Sequence, residues 1–478
     1  MKVVVFINSL SLGGTEKAAC FWAARMARQA SGIGLSVSSI NAVKVVSLCD
    51  GPRRADLERS GIALNTFPTS HLANSEEVAD LISDADVIHA HAPGFAHQGD
   101  LLGKAIAHLG KKIPVVQTNI FGKLENPAEE EWTDFRLFIS WTSCVQAARR
   151  AGRKLDLEFF RRQSVATYPV EDPRSSSEEK PEDGNLKPEG QSLREMLGVL
   201  PEQILFGRFS RPEPNKWTPL VLDSFLAAWR ENPSIRLLLR EPPPEVSHRL
   251  LDQGFAILAE SVIKNNQSTR SKHTSPVLIL PTTADPHELA VSQMACDVIL
   301  HTSSIGESFG YGIAEPMALG KPVITNSVPW QDQAQIELVR HEECGLVASI
   351  VPSMKKAIIQ MAGAKGQKSE VRSRNSEVSD KVSLSTMGEN ARANILSLAE
   401  ATRSTDRVMM AMQCAIENRD NPFAKEDLDK SLQTAEYLDQ HQWGHSLEEQ
   451  LWLHGMDAKV RLLRWQRKLR DRLAIRTR

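Results

Sequence analysis

Glu307 and Glu315 stand eight positions apart in the stretch ESFGYGIAE, which runs on into PMALGKPVITNSVPW. The first lies in a glycine-containing loop and the second near a helix start. Just upstream, DVILHTSSIG is an apolar strand run ending in small polar residues. The order strand, loop, carboxylates, helix is how open α/β sheets build ligand sites at the carboxyl ends of their strands. Two carboxylates with no metal-ligand histidines beside them suit a polyhydroxyl ligand, because each accepts two or more hydroxyl hydrogen bonds.

Other residues could serve the same ligand. Arg208 and Lys216 follow a strand-like run in FGRFSRPEPNKWTPL; a guanidinium fork and an ammonium there would suit a diphosphate, and surface charge is the alternative. Gly13 and Gly14 separate a strand from a helix. They would let backbone approach a phosphate at a helix N-terminus, or simply make a tight turn with Glu16 in the first helical turn. No GxGxxG is present, which argues against NAD. His89 and His91 end the run DVIHAH, and Thr118-Asn119 end VVQTN. The two histidines read as strand-end residues, held by backbone or facing a ligand.

The elements that must position these groups alternate along the chain. Lys2–Ile7, Lys44–Leu48, Asp86–Ala90 and Ile113–Gln117 read as strands, with helices over Glu16–Gln29 and 99–109. A second alternation covers Ile204–Gly207, Ile235–Leu239, Val277–Leu280, Asp297–Leu300 and Pro322–Thr325, with a helix over Pro219–Trp229. Such alternation predicts parallel sheets covered on both faces. The expected division is a first domain over 1–170, a linker over 171–200, a second domain over 201–386 and C-terminal helices over 387–478, partly returning to the first domain. Residues 171–192, 264–275 and 364–383 are rich in Ser, charge and other polar residues and read as surface segments. The last stretch sets Leu462, Trp465, Leu469 and Leu473 on one helical face among Arg461, Arg464, Arg467, Lys468, Arg470 and Arg472. Two readings stay open for this basic amphipathic helix: contact with an anionic membrane, or packing on the protein with a solvated basic face.

Bulk properties exclude other classes. A chain of 478 residues needs more than one core. A formal net charge of -2 gives no field that would select nucleic acid. The six cysteines make no CxxC pair, so neither zinc nor a disulfide framework is expected, and a reducing cytoplasm fits. Val3–Ile7 is too short an apolar run for a secretory leader and reads as a buried strand.

The Glu307–Glu315 pair, with GKPVITN behind it, resembles the donor-site signature of the family 4 retaining glycosyltransferases. NSLSLGGTEKAA (8–19), FGRFSRPEPNKWTPL (206–220), TYPVEDP (167–173) and MGENAR (387–392) resemble that family's glycine loop, its Arg–Lys segment, its interdomain hinge and its late helix start. The resemblance covers roughly residues 1 to 415. It implies the GT-B fold, two Rossmann-like doubly wound parallel-sheet domains facing across a cleft. It implies transfer of a sugar from a nucleotide diphosphate sugar to a hydroxyl of a glycan, lipid-linked or small-molecule acceptor, with retention and without a metal or other cofactor. Glu307, Lys216 and Arg208 would be catalytic. Glu315 would hold the ribose, and Ser308, Phe309 and Gly310 the sugar or phosphate. Gly13, Gly14, His91 and Asn119 would complete the substrate site. Two departures stand out: Trp217 follows Lys216 where the family has glycine, and Ile120 stands where many relatives carry a histidine. A non-catalytic sugar-nucleotide-binding or assembly protein is the rival from another class. A phosphorylase of this architecture lacks its pyridoxal phosphate lysine context, and an epimerase would have no acceptor site.

Overall fold

The computed structural model describes residues 1–30, 40–70, 73–91, 96–124, 131–173, 186–213, 215–240, 242–259, 275–283, 285–364 and 383–476. Most of the segments 171–192, 264–275 and 364–383 lies outside these residues.

Two compact units are present, each with its own sheet. The first comprises Met1–Val170 and Leu398–Glu436, the second Glu171–Ser397 and Tyr437–Arg478. The first sheet contains β1 (Lys2–Ile7), β2 (Ala42–Ser47), β3 (Ala63–Thr66), β4 (Val87–His91), β5 (Val115–Asn119), β6 (Phe135–Phe138) and β7 (Gln163–Val165). Their order is β3-β2-β1-β4-β5-β6-β7, and every pair is parallel. All residues of β4 and β5 are buried, as strands covered on both faces require. Phe6, Val46, Ile88 and Leu102 pack in one core layer. β1 pairs with β2 on one side and β4 on the other, so the direction of winding switches there.

The second sheet contains β8 (Ile204–Phe209), β9 (Ile235–Arg240), β10 (Ala256–Leu258), β11 (Val277–Leu280), β12 (Val298–His301), β14 (Val323–Thr325) and β16 (Gly345–Val347). Its order is β10-β11-β9-β8-β12-β14-β16, again parallel throughout. The switch falls between β8 and β12. A two-stranded ladder, β13 (Gly306–Glu307) with β15 (Asp332–Gln333), sits beyond the carboxyl end of β12. Helix Pro219–Glu231 begins with proline at its first turn, where the missing N–H costs nothing. Its Val221, Phe225 and Ala228 pack on Phe206 and Leu237 of the sheet.

Residues 186–196, within the stretch read as a linker, form a helix. Arg194 ties it to the second unit through Asp297 (2.8 Å) and the Ala295 carbonyl (3.1 Å). Helix Ala401–Glu417 is fixed to the first unit by a buried cluster: Asp427 accepts hydrogen bonds from Arg407, Ser164 (2.6 Å) and Asn421 (2.8 Å). Among the described residues no helix is long and apolar enough to cross a membrane.

Candidate functional site

The site is built at the carboxyl ends of β8 and β12. Gly306 and Glu307 follow β12 after a short loop. Gly306 has φ +67°, and a Cβ there would stand 1.7 Å from the Asp332 carbonyl oxygen, so only glycine lets β13 approach β15. The ladder, together with a hydrogen bond from the Glu307 N–H to Gln335 Oε1 (2.9 Å), fixes where the Glu307 side chain starts. Its Oε1 then meets Lys216 Nζ at 2.6 Å and His301 Nε2 at 2.8 Å. The Lys216 and Glu307 side chains are 14% and 12% exposed.

These contacts set the charge states. Burial works to raise the Glu307 carboxyl, but Lys216 and His301 outweigh it and hold the group at about 2. Burial keeps His301 below its ordinary value despite Glu307. The neutral ring donates from Nε2 to Glu307, and its Nδ1 is left bare. Gly312 faces that edge of the ring, where a Cβ would come within 3.1 Å of Cε1.

Arg208, in β8, is fully buried. Its guanidinium donates to the carbonyls of Leu300 (3.3 Å), Thr302 (3.1 Å) and Lys216, and lies 4.7 Å from the Trp217 ring. Burial pushes it down to about 9, against the pull of Glu307. It is cationic at neutral pH and ties the loop of Lys216 to the end of β12.

Five buried polar atoms at the ends of β8, β12 and β14 have no partner among the described residues: Arg208 Nε, Ser210 Oγ, Asn215 Oδ1, His301 Nδ1 and Thr325 Oγ1. Buried polar groups are nearly always satisfied, so these atoms at one switch point are free to hydrogen-bond with water or a ligand there.

The other expected residues of this unit lie close by in the chain fold. Ser308 donates its hydroxyl to Asp332. Phe309 is buried and packs edge-on against Tyr311 at 5.2 Å. Gly310, at φ +99°, caps helix Tyr311–Ala318, and no side chain caps that end. Glu315 is half-buried in the middle of the helix.

In the first unit, Gly13, Gly14, His91 and Asn119 share the carboxyl edge of the sheet. Gly13 makes room for Glu16: a Cβ there would stand 2.1 Å from Glu16 Oε2. Gly14 is the first residue of its helix. His91 is 1% exposed, its ring 4.3 Å from His89 and 5.5 Å from Trp22, and neither ring nitrogen has a partner among the described residues. Burial holds both histidines well below their ordinary values, His89 at about 3. His89 reaches Thr118 Oγ1 at 2.8 Å. The Asn119 amide closes on the backbone of Lys123, donating to its carbonyl (2.6 Å) and accepting from its N–H (3.2 Å).

Sequence reasoning did not single out His301, Gln335 or Asp332. His301 carried a signal: DVILHTSS repeats the strand-end histidine of DVIHAH. Gln335 and Asp332 sit in a ladder of two-residue strands, too short for any periodicity to show.

No family model matches the sequence, and no curated protein matches it. Solved structures match it in fold. HepE of Anabaena, solved with UDP-glucose, superposes with a TM-score of 0.57 over 85% of this chain and 98% of its own, at 19% identity. A glycosyltransferase from Rickettsia africae gives 0.61 over 87% and 99%, at 12% identity. WaaG, a glycosyltransferase involved in lipopolysaccharide biosynthesis, gives 0.51 over 86% and 99%, at 14% identity. Likeness at these identities establishes the fold. It is GT-B: two parallel-sheet α/β domains followed by helices.

The ion cluster predicts a specific stability pattern. Lys216→Met should cost about 3 kcal/mol by stripping a buried carboxylate of its ammonium. Adding Glu307→Gln should restore most of it, a coupling that thermal unfolding of the four proteins will measure. Because the Glu307 carboxyl is depressed in the folded state, its contribution is full above about pH 4.5 and is lost as pH falls toward 2.

Proposed function

We propose that this chain is a family 4 glycosyltransferase that moves a sugar from a nucleotide diphosphate sugar to an acceptor hydroxyl, with retention and without a metal. The observation that carries the reading is the Lys216–Glu307–His301 cluster, ringed by unpartnered buried polar atoms at the β8/β12 switch point. Its support is the GT-B fold, shared with a structure that holds UDP-glucose.

Each residue has a role in this reading. Glu315 accepts hydrogen bonds from the ribose hydroxyls. The uncapped N-terminus at Gly310–Tyr311 turns backbone N–H groups toward a phosphate. Lys216 leaves Glu307 for the diphosphate, whose charge grows as the C1–O bond breaks. Glu307, released, faces the sugar and offsets the positive charge of its oxocarbenium-like state. Arg208 works by holding the Lys216 carbonyl and the end of β12, and its charge adds to the field at the diphosphate. Ser308 and Phe309 shape the floor. The N-terminal domain supplies the acceptor side, with Gly13, Gly14, His91 and Asn119 at its sheet edge.

One observation favours a second reading. The Asn119 amide is committed to Lys123, and Ile120 follows it where a histidine is usual in the family. A protein that binds the sugar nucleotide without turning it over would show this arrangement.

The exposed later turns of the C-terminal helix, where Arg464 also donates to the Trp330 carbonyl (2.7 Å), support contact with an anionic membrane. Residues 461–467 are all exposed, with Leu462 at 53%, Leu463 at 52% and Trp465 at 59%. Leu462, Leu463 and Trp465 fall on one side of the helix and Arg461, Arg464 and Arg467 on the other, as on helices that lie at lipid interfaces.

Two outcomes test these proposals. Glu315→Ala should weaken donor binding about tenfold to a hundredfold, the loss of ~1.5–3 kcal/mol of charge-assisted hydrogen bonding. Lys216→Ala should instead lower kcat about a hundredfold or more. Steady-state kinetics with the donor separates the two; wild-type rates in both would refute the site, and donor binding without turnover in the wild type would favour the second reading. Truncation after Gly455 should abolish co-sedimentation with phosphatidylserine vesicles; undiminished co-sedimentation would refute membrane contact by this helix.

A further inference from the structure

The segment from His441 to Glu449 lies far from Glu307 in sequence, yet one hydrogen-bonded network joins them inside the second unit. Gln335, which accepts from the Glu307 N–H, donates to the Asn326 carbonyl (3.2 Å). The Asn326 side chain brackets Ser303, accepting from its N–H (3.0 Å) and donating to its carbonyl (3.1 Å). Ser327 then reaches the C-terminal segment: its hydroxyl lies 2.5 Å from the Gln442 carbonyl and 3.0 Å from Gln333 Oε1. The Ser327 N–H donates to Ser349 Oγ (3.0 Å), and the Ser349 N–H to Glu449. Glu449 is 1% exposed and also accepts from Ser353 Oγ (3.2 Å) and the His445 N–H (3.1 Å). A buried carboxylate with three donors is a fixed point, and it is linked through Ser349, Ser327 and Asn326 to Ser303, just ahead of Glu307.

Beside this network the segment carries a stack of imidazoles. The His341 and His445 rings lie 3.5 Å apart and 7° from parallel. His441 is 5.5 Å from His445, and Tyr437 is 4.2 Å from His441. His341 Nδ1 accepts the Val347 N–H (2.9 Å), so that nitrogen must carry no proton. The Tyr437 hydroxyl accepts from the His341 N–H (2.7 Å). The charged groups around the stack are Arg340, whose guanidinium lies 5.3 Å from the Tyr437 ring, Glu342, Glu343 and Glu449.

We propose that His441–Glu449 is a pH-sensitive clamp on the donor site, in which Gln442 and Glu449 are positioning residues for the loops around Glu307 and the His341–His445 stack holds the clamp closed. Only its catalytic consequence rests on the donor reading above. Burial lowers all three histidines, His341 to about 3, with each neighbouring imidazole lowering it further. Glu449 and Glu342 pull His445 upward, and Glu343 does so for His441, less than burial lowers them. A histidine released from the stack regains an ordinary value near 6.5. The clamp is therefore fully closed above about pH 6.5. It loosens as pH falls toward 3, by about tenfold per pH unit for each histidine that must stay neutral.

Amide hydrogen exchange on the full chain at pH 7.5 and 5.0, corrected for the intrinsic rate at each pH, tests this. Ser303, Glu307, Ser327 and Ser349 should lose protection together at pH 5.0, by at least tenfold, while the amides of β1 stay protected. The variant His341→Asn/His441→Phe/His445→Phe keeps an acceptor for Val347 and rings in the stack but leaves no stack histidine to titrate; it should hold its protection at pH 5.0. Glu449→Gln should open the same four amides at pH 7.5 and raise the donor KM more than it lowers kcat, with Glu449→Asp in between. Ser349 opening while Ser303 and Glu307 stay closed would overturn the proposal. So would β1 opening with them, or an unchanged wild type at pH 5.0. If no donor is bound or turned over, the donor reading fails, and the exchange results still decide the clamp.

Discussion

The Glu307 carboxylate lies at the edge of a covered sheet, where an uncompensated charge would be costly. Lys216 and His301 compensate it, and each contact requires further structure. Lys216 must sit on a loop held close to the end of β12, which Arg208 does with three carbonyl hydrogen bonds. Gly306 must be a glycine so that β13 can pair with β15. The switch point between β8 and β12 is thus braced by one ionic constraint. In the proposed function that constraint is also exchangeable, because a diphosphate would take the ammonium and leave the carboxylate to a sugar.

The pairing resolves an apparent conflict. A lysine locked to a glutamate and an arginine locked to carbonyls look spent. If the ligand is the proposed nucleotide diphosphate sugar, with two phosphates and several hydroxyls, the free state needs such internal partners, since an unpaired buried charge would destabilise the domain. In that reading, ligand binding would exchange one set of charge-assisted contacts for another. The unpartnered atoms of Ser210, Asn215, His301 and Thr325 are what the internal set leaves over.

Much of the fold was legible in the sequence because parallel strands buried on both faces are continuous apolar runs. Lys2–Ile7 and Val277–Leu280 match their expected bounds, and Ile204, Ile235 and Pro219 begin their elements where expected. The strands missed in the two large sheets are β3, β6, β7, β10 and β16, all but β6 at a sheet edge, and the two-residue β13 and β15 were missed as well. Runs that short carry no period, and an edge strand's pairing is set by neighbours distant in sequence. In the site, carboxylates and basic residues showed themselves through motif spacing. His301 and the Arg208–carbonyl bonds did not, because they depend on which strand ends become neighbours. Leu398–Glu436 joins the first unit and Tyr437 onward the second, a division that comes from single buried contacts such as Asp427–Arg407 and Glu449–Ser349.

The most direct measurement is calorimetric titration of the full chain with UDP-, GDP-, ADP- and dTDP-sugars, with magnesium and with EDTA. Specific binding of one nucleotide sugar, equally tight in EDTA, is the predicted result, because in the proposed function Lys216 and a helix N-terminus would do the work of a metal. Folded protein that binds none of them, or binds only when magnesium is present, would contradict the account.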